Sequence, residues 1–312
     1  MLDSNISSDF SACVVAIVVT YCPDMERLGQ LLESLAVQVD RVVIVDNTPG
    51  GEADLDARGW QKLGNNKITV VCIGENIGIA EAINVGIDRA RSSIQPTHIL
   101  LSDQDSVPDQ DMVVELLKES ISLKERGESV GAVGPTYYDE STGKLSLFQL
   151  FGRGSGFYRL GAAIDKSVKC WSLISSGCLI PISVIDDVGG MDGRLFIDHV
   201  DIEWGFRAIS KGYSLFGVRD ARMAHQRGDS GLSIWVGRWK VINFYSAERM
   251  YFQFRNYVFT LRLHYIPLLW KLRSSLYWGQ MLYACLLFSS DKPKYARQII
   301  RSIRDGFLLS TK

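Results

Sequence analysis

The chain has 312 residues, of which 46% are hydrophobic and 22% are charged, and its formal net charge is −1. A chain of this size and composition can bury a large core in one or two domains, so an intrinsically disordered protein is excluded. The six cysteines are scattered without close pairs, which is typical of reduced thiols and excludes a disulfide framework or a cysteine-rich zinc site.

Alternating strand and helix patterns fill the first hundred residues. Short apolar runs predict strands at Val14–Thr20, Arg41–Asp46, 68–73 and 98–102. Leucines at helical spacing within 28–35 and the segment 78–91 predict helices between them. Nearly all-apolar strands that alternate with helices indicate a mostly parallel sheet covered on both faces. Sheets of this α/β class bind ligands at the carboxyl ends of their strands.

Polar residues follow each of the four strands. They are Thr20-Tyr21, Asp46-Asn47-Thr48, Glu75-Asn76 and Asp103-Gln104-Asp105. Any one of these endings is typical of a turn, but four of them at one sheet edge predict a ligand site. The loop after the first strand, TYCPDMERL, lacks the G-x-G-x-x-G pattern, so a dinucleotide-binding domain is disfavoured.

Asp103 and Asp105 give the strongest chemical signal. They are one residue apart at the end of an apolar strand, so we expect both carboxylates to project from the sheet edge. Carboxylate oxygens suit Mg²⁺ or Mn²⁺, and such an ion is shared with substrate phosphates. One or two protein carboxylates are therefore enough to recruit it.

The helix at 78–91 has a face almost without side chains, because Gly78, Ala82 and Gly86 recur every four residues. This face either packs closely on the sheet or admits a ligand. Asn76 precedes the helix, where its amide and the free backbone N–H groups are positioned to meet a diphosphate or a ribose.

A second polar pattern lies further along the chain. Asp198, Asp201, Trp204 and Arg207 recur every three residues and predict one stripe of a short helix. Acidic residues at the start of a helix are either caps or catalytic groups, and both interpretations stay open. His225 ends a strand pattern and is either an ordinary strand-end histidine or a ligand.

The order of these motifs resembles that of the family 2 nucleotide-sugar glycosyltransferases, which have a GT-A fold. The resemblance covers residues 14–230 and rests on VVAIVVTY, VVIVDN, ENIGIAEAINVGI, LLSDQDS, SSGCLIP and GGMDGRLFIDHVDIEWGFRAISKGY, followed by His225. The segments LLSDQDSVP, LFIDHVDIEWGFRA, FQFRNYVF and RSIRDG further resemble bacterial rhamnosyltransferases that build O-antigen. The resemblance implies a catalytic GT-A domain at 1–230.

The resemblance also implies a role for each matching residue. The nucleotide-sugar donor is expected to contact Thr20, Tyr21, Asp46, Asn76, Gly78 and Asp103. Mg²⁺ or Mn²⁺ is expected to be held by Asp105, with Asp103 and His225. Asp201 is the expected catalytic base. Asp198 remains the alternative, because the Glu-Asp pair of the family is Val200-Asp201 here, and Trp204 is expected to contact the acceptor.

The implied activity is inverting transfer of L-rhamnose from dTDP-L-rhamnose to a lipid-linked or polysaccharide acceptor, in the synthesis of O-antigen and lipopolysaccharide. A sugar nucleotidyltransferase is one alternative, but it needs a glycine-rich basic loop after the first strand, where this chain has Cys22-Pro23-Asp24. A non-catalytic protein that binds the nucleotide sugar at a membrane is the other alternative, and it would need no base.

The C-terminal segment 231–312 differs in charge from the rest of the chain. It contains 13 Lys and Arg but 3 Asp and Glu, so its net charge is +10, against −11 for residues 1–230. Its basic residues are spaced among long apolar and aromatic stretches, which disfavours nucleic-acid binding. We expect an amphipathic helical region that either associates with a membrane or the acceptor, or packs on the catalytic core or on another subunit.

The location follows from two further patterns. The N-terminal residues MLDSNISSDF lack the basic region of a signal peptide, and the apolar stretch 277–290 is too short for a bilayer crossing of about 20 residues. We therefore expect a cytoplasmic protein that is peripherally associated with the inner membrane. Several basic residues of the C-terminal segment together are expected to hold it reversibly at the anionic leaflet.

Overall fold

Four parallel strands form one half of the main sheet. The computed structural model describes residues 12–50, 67–140, 142–146, 148, 166–225, 231–235, 239–243, 245–289 and 291–311, with backbone only for 225, 231–235 and 239–243. The parallel strands are β1 (Val14–Thr20), β2 (Arg41–Asp46), β3 (Ile68–Cys72) and β4 (His98–Asp103). They lie in the order β3-β2-β1-β4, so their carboxyl ends meet at one edge, as the sequence predicted.

The other half of the sheet is mixed. Its strands are β5 (Ser106–Pro108), β6 (Val130–Tyr138), β7 (Ser167–Cys170), β8 (Leu179–Pro181) and β9 (Ser214–His225). Strand β6 is parallel to β9, whereas β8 is antiparallel to β4 and β6, and β5 and β7 are antiparallel to β9. Strands β10 (Gly231–Trp235) and β11 (Trp239–Asn243) form a separate antiparallel pair.

Helices cover both faces of the sheet. They are α1 (Met25–Ala36), α2 (Ile79–Ser93), α3 (Met112–Glu125), α4 (Ile182–Val188) and α5 (Val200–Ser210). Because side chains alternate along a strand, Ala16 and Val18 of β1 pack with α1 and α3, whereas Ile17 packs with α2 and α5. A Cβ atom on Gly86 of α2 would lie 2.5 Å from Ile17, so the bare face of this helix serves close packing on the sheet.

Three further helices complete the described part of the chain. They are α6 (Ala247–Arg262), α7 (Leu268–Phe288) and α8 (Lys292–Leu308). Phe259 of α6 and Trp270 of α7 belong to the same buried cluster as Ile17 of β1 and Phe206 of α5. Helices α6 and α7 therefore pack on the core formed by the sheet and its helices, and the domain boundary predicted at 230 lies outside the described residues.

Among the described helices, none combines the length and the apolar run that a membrane crossing requires.

Candidate active site

An open cleft of roughly 840 Å³ lies at the carboxyl ends of the parallel strands. It is lined by the strand ends, the start of α2, residues 174–175, the loop before α5 with the first turn of that helix, and helices α6 and α7 with the two residues before α6. Its principal polar and aromatic lining residues are Tyr21, Asn47, Asn76, Asp103, Gln104, Asp105, Asp198, Asp201, Tyr245, Arg249, Phe252, Gln253 and Tyr277. The cleft thus gathers most of the residues that the sequence predicted for the site.

Side-chain amides tie the strand ends together at one end of the cleft. The Gln104 amide donates to the carbonyl of Tyr21, and its carbonyl oxygen accepts from the Tyr21 N–H at 2.7 Å. The Asn47 amide donates to Asn76 Oδ1 at 2.9 Å, and Asn47 Oδ1 accepts from the N–H of Ile77. Asn47 was not among the predicted site residues, although its place directly after β2 was the available signal.

Thr20 and Asp46 were both predicted to contact the donor, but they lie beneath the surface of the cleft. The Thr20 hydroxyl donates to Asp46 Oδ1 at 3.1 Å, and the same oxygen accepts from the N–H of Thr48. Thr20 is fully buried and Asp46 is 2% exposed. In this structure the pair shapes the turn that presents Asn47, and neither side chain lines the cleft.

Asp103, Asp105 and Asp201 are neighbouring carboxylates that line the cleft. Burial, followed by the charges of Asp105 and Asp201, raises the pKa of Asp103 to about 7. Burial raises the pKa of Asp201 to about 6. Three neighbouring acidic side chains, two of them with disfavoured charges, suit a site that receives a cation.

The donor set fits a hard divalent ion that keeps some of its waters. Among the described side chains, no group of three His, Cys, Asp or Glu converges on one point, but Mg²⁺ and Mn²⁺ need only one or two protein carboxylates. The backbone of His225 pairs with that of Ser106, the residue after Asp105. This pairing brings the His225 backbone next to Asp105, as a shared metal site would require. The His225 side chain lies outside the described residues.

The two candidate bases differ in their partners. Arg249 donates to both carboxylate oxygens of Asp198, at 3.1 and 3.2 Å, and its guanidinium lies over the ring of Tyr245. Asp201 accepts a hydrogen bond from the N–H of Ile202 at 2.8 Å, and no cation pairs with it among the described residues. Both carboxylate oxygens of Asp198 thus accept a hydrogen bond from Arg249, whereas Asp201 has no cation partner among the described residues.

The loop before α5 has an unusual backbone. Phe196, Asp198 and His199 have φ values of 63°, 62° and 65°, a left-handed conformation that side chains with a Cβ rarely adopt. Asn256 of α6 holds this loop, because its amide nitrogen donates to the carbonyls of Leu195, Ile197 and Asp198 at 2.7 to 3.0 Å. A residue of the C-terminal helices therefore fixes the entry to the helix that carries Asp201.

The same loop occupies the N-terminus of α2. The N–H of Ile79 donates to the carbonyl of Phe196 at 2.7 Å, so the donors expected to be free for a diphosphate are engaged. Gly78 has a φ of 86°, and a Cβ atom there would lie 2.5 Å from Phe196 Cδ2. Gly78 lines the cleft as predicted, and its lack of a side chain allows the loop to approach.

Trp204, the predicted acceptor contact, is in the core. It is 4% exposed, and its indole N–H donates to the carbonyl of Gly189 at 2.9 Å. Arg207, on the same stripe, forms a buried ion pair with Glu203, at 2.8 Å. Arg207 of the stripe is thus paired with a residue of the same helix that lies off the stripe, and Trp204 does not line the cleft.

The fold and the site define a GT-A glycosyltransferase, and comparison with known proteins gives the family. Residues 16–178 match glycosyl transferase family 2, so the chain belongs to that family. The chain is 29% identical over 301 residues to the dTDP-rhamnosyl transferase RfbF of Shigella flexneri, covering 94% of this chain and 95% of that protein. The family match decides against a sugar nucleotidyltransferase.

Solved structures share the fold at low identity. GalNAc-T7 with UDP, GalNAc and Mn²⁺ matches 84% of this chain with a TM-score of 0.59 and 13% identity. TarS of S. aureus matches 95% with a TM-score of 0.52 and 15% identity, and its residues 1–349 match 93% with a TM-score of 0.52 and 13% identity. The chain spans 49% of the first two structures and 81% of the third. At these identities the likeness concerns the fold alone.

Proposed function

We propose that the enzyme transfers L-rhamnose, with inversion, from dTDP-L-rhamnose to a lipid-linked or polysaccharide acceptor in bacterial O-antigen synthesis. The similarity to the Shigella flexneri dTDP-rhamnosyl transferase supports the donor, and the resemblance of the sequence motifs to O-antigen rhamnosyltransferases supports the process. One structural observation supports the chemistry above all others. Asp201, without a cation partner among the described residues, faces the same cleft as Asp103, Asp105 and the amides at the strand ends.

Asp201 acts as the base in this proposal. Its carboxylate accepts the proton of an acceptor hydroxyl while that oxygen attacks the anomeric carbon, and a positioned base contributes roughly 10²- to 10⁴-fold. The bond from the anomeric carbon to the diphosphate breaks in the same step, so the configuration inverts. Arg249 keeps Asp198 engaged and orients the loop that precedes Asp201.

Asp103 and Asp105 would hold Mg²⁺ or Mn²⁺, with His225 as a further ligand. When bound, such an ion neutralises the charge that develops on the departing diphosphate. Asn47, Asn76 and Tyr21 are placed to contact the nucleoside at the strand-end side of the cleft.

Donor binding that requires the metal tests this proposal. We expect dTDP-L-rhamnose with MnCl₂ to raise the melting temperature, because a ligand at 100 times its Kd stabilises the folded state by about 2.7 kcal/mol. EDTA should remove most of this shift, and Asp105→Ala should reduce it without lowering the melting temperature of the free enzyme. UDP-N-acetylglucosamine is the matched control. An equal shift with EDTA, or with the control nucleotide sugar, would contradict the assignment.

We also propose that the enzyme associates peripherally with the cytoplasmic face of the inner membrane. Leu268, Leu272 and Leu276 of α7 recur every four residues and are 70%, 60% and 71% exposed. Ile300 and Phe307 of α8 are 71% and 60% exposed. These apolar side chains belong to the segment of net charge +10, which complements an anionic lipid surface.

Vesicle flotation tests the membrane proposal. We expect binding to phosphatidylglycerol-containing vesicles that falls at high salt, because each basic residue near the surface contributes only about 1 kcal/mol. The double change Leu272→Glu and Leu276→Glu should abolish flotation. Val37→Glu alters a side chain that is 77% exposed at the C-terminal end of α1, outside the segment 231–312. This control should have no effect on flotation. Flotation that is unchanged in the double variant would reject the lipid-facing role of α7.

A further inference from the structure

Helices α6 and α7, with the two residues before α6, build a wall of the cleft that the donor and the metal do not account for. The wall includes Tyr245, Arg249, Phe252, Gln253 and Tyr277, together with Ser246, Glu248 and Trp278. None of these residues comes from the strand ends, where the nucleotide, the diphosphate and the metal are placed in the proposed reaction. An inverting displacement brings the acceptor from the side opposite the leaving diphosphate, so this wall is available to a second substrate.

Gln253 carries a polar atom that lacks a partner. The residue is 8% exposed, and its Oε1 finds no hydrogen-bond donor among the described residues, although Gln253 lines the cleft. A buried carbonyl oxygen without a donor costs about 1 to 3 kcal/mol. Such an atom at the wall of a cleft indicates a ligand that supplies a hydroxyl or an amide N–H.

An exposed aromatic ring lines the same cleft. Tyr277 is 52% exposed, and its ring contacts Trp278 edge to face at 5.4 Å. Trp278 is 8% exposed and stacks on Tyr257 at 5.2 Å, so the support beneath Tyr277 is rigid. Burial, followed by Tyr245 and the charge of Asp198, raises the pKa of Tyr277, and Asp198 lies in the loop that precedes α5.

We propose that this wall is the subsite for the acceptor sugar, an inference that rests on the proposed transferase activity. Gln253 Oε1 accepts a hydrogen bond from a hydroxyl of the acceptor pyranose. The Tyr277 ring packs against the apolar C–H face of the same sugar. The hydroxyl to be glycosylated is thereby held next to Asp201, and Leu276, 71% exposed beside Tyr277, faces the side from which a lipid-linked acceptor arrives.

Glycoside binding by the full chain tests the subsite. The probes are octyl glycosides of L-rhamnose, D-glucose and N-acetyl-D-glucosamine, titrated by saturation-transfer NMR with dTDP and MnCl₂ present. We expect at least one to bind, and Gln253→Leu and Tyr277→Ala to weaken it roughly tenfold, the effect of one hydrogen bond or one stacked ring. Tyr277→Phe should retain binding because it keeps the ring.

Two matched controls separate the subsite from general damage. Gln298→Leu makes the same change on α8, which contributes no residue to the cleft, and Tyr283→Ala removes a ring of α7 that is 45% exposed outside it. Both should bind the glycoside as the unaltered enzyme does. Gln253→Leu should not lower the melting temperature, because an apolar side chain replaces an unsatisfied buried oxygen.

The outcomes are distinct. Absence of binding for all three glycosides, or unchanged binding in Gln253→Leu, overturns the subsite and assigns the oxygen to a buried water. A loss of dTDP-L-rhamnose affinity in Gln253→Leu, with glycoside binding intact, reassigns the wall to the donor sugar and also overturns it. Glycoside binding by an enzyme that fails to bind dTDP-L-rhamnose and Mn²⁺ would sustain the subsite while the proposed rhamnosyl donor fails.

Discussion

Replacing Asp201 by asparagine is expected to reduce sugar transfer by roughly 10²- to 10⁴-fold while donor binding survives. The asparagine Oδ1 can still accept the hydrogen bond from Ile202, so α5 keeps its first turn. Initial rates of dTDP release in the presence of acceptor measure the loss, and calorimetric titration with dTDP-L-rhamnose measures donor affinity. Retained transfer in this variant would favour Asp198 as the base. If the unaltered protein transferred no sugar to any acceptor, a non-catalytic binding protein would be favoured.

The same substitution is expected to raise the melting temperature at pH 8 by roughly 4 °C. Burial raises the pKa of Asp201 to about 6, so the folded state binds this proton more tightly than the unfolded chain does. The contribution of Asp201 to stability is therefore greatest below about pH 4 and is lost as the pH rises through about 6, when the carboxylate ionises in the folded state. Asparagine avoids this ionisation, and its advantage should disappear below about pH 4.

A matched control for Asp201→Asn is Asp186→Asn. Asp186 forms an ion pair with Arg91 in which its side chain is 56% exposed, and exposed pairs contribute less than about 1 kcal/mol. This variant should keep both the transfer rate and the melting temperature. A lowered melting temperature in Asp201→Asn would show that the carboxylate stabilises the fold, contrary to its assignment as a base.

Replacing Asn256 by alanine is expected to slow transfer at least tenfold and to destabilise the fold by about 3 kcal/mol. The change removes a donor from the carbonyls of Leu195, Ile197 and Asp198, of which Leu195 keeps hydrogen bonds from Arg255 and from the N–H of Ile197. It also releases a loop with three left-handed residues. Because the loop positions Asp201 and not the nucleotide, kcat should fall more than donor affinity does. Steady-state kinetics and chemical denaturation measure the two effects.

Ser302→Ala provides the comparison for Asn256→Ala. Ser302 is also fully buried in the C-terminal helices, but its hydroxyl donates to the carbonyl of Ile299 within its own helix. Its removal should leave kcat unchanged. If Asn256→Ala lost stability but kept kcat, the contact between α6 and the loop would be structural and would not position the base.

The sequence predicted the parallel half of the sheet well, because local patterns define it. Strands β1 to β4 are nearly all apolar. Because the four strands are parallel, the polar residues that follow them lie at one edge of the sheet, and this does not depend on the rest of the chain. The burial of Thr20 against Asp46 was not predictable, since it depends on the distance between two adjacent strands. From the sequence alone, a buried polar residue at the end of β1 or β2 cannot be distinguished from an exposed one.

The contribution of the C-terminal helices was beyond the sequence patterns for a different reason. Asn256 contacts carbonyls that lie 58 to 61 residues earlier, and Gln253 is one polar residue within an amphipathic helix. Periodicity assigns such residues to a face of the helix but does not say what that face meets. For Trp204 the opposite error arose. Its place in a polar stripe favoured a position in the site, but the side chain is buried in the core.

The hydrogen bonds from Asn256 of α6 to the loop before α5 limit how far the enzyme can be truncated. A fragment cut after residue 230 would retain every strand of the large sheet and the four aspartates that line the cleft. It would lack the amide of Asn256 and would expose the apolar surface now covered by Phe259 and Trp270. The smallest active fragment therefore extends past α6 and into α7, and the helices cannot be treated as a removable membrane anchor.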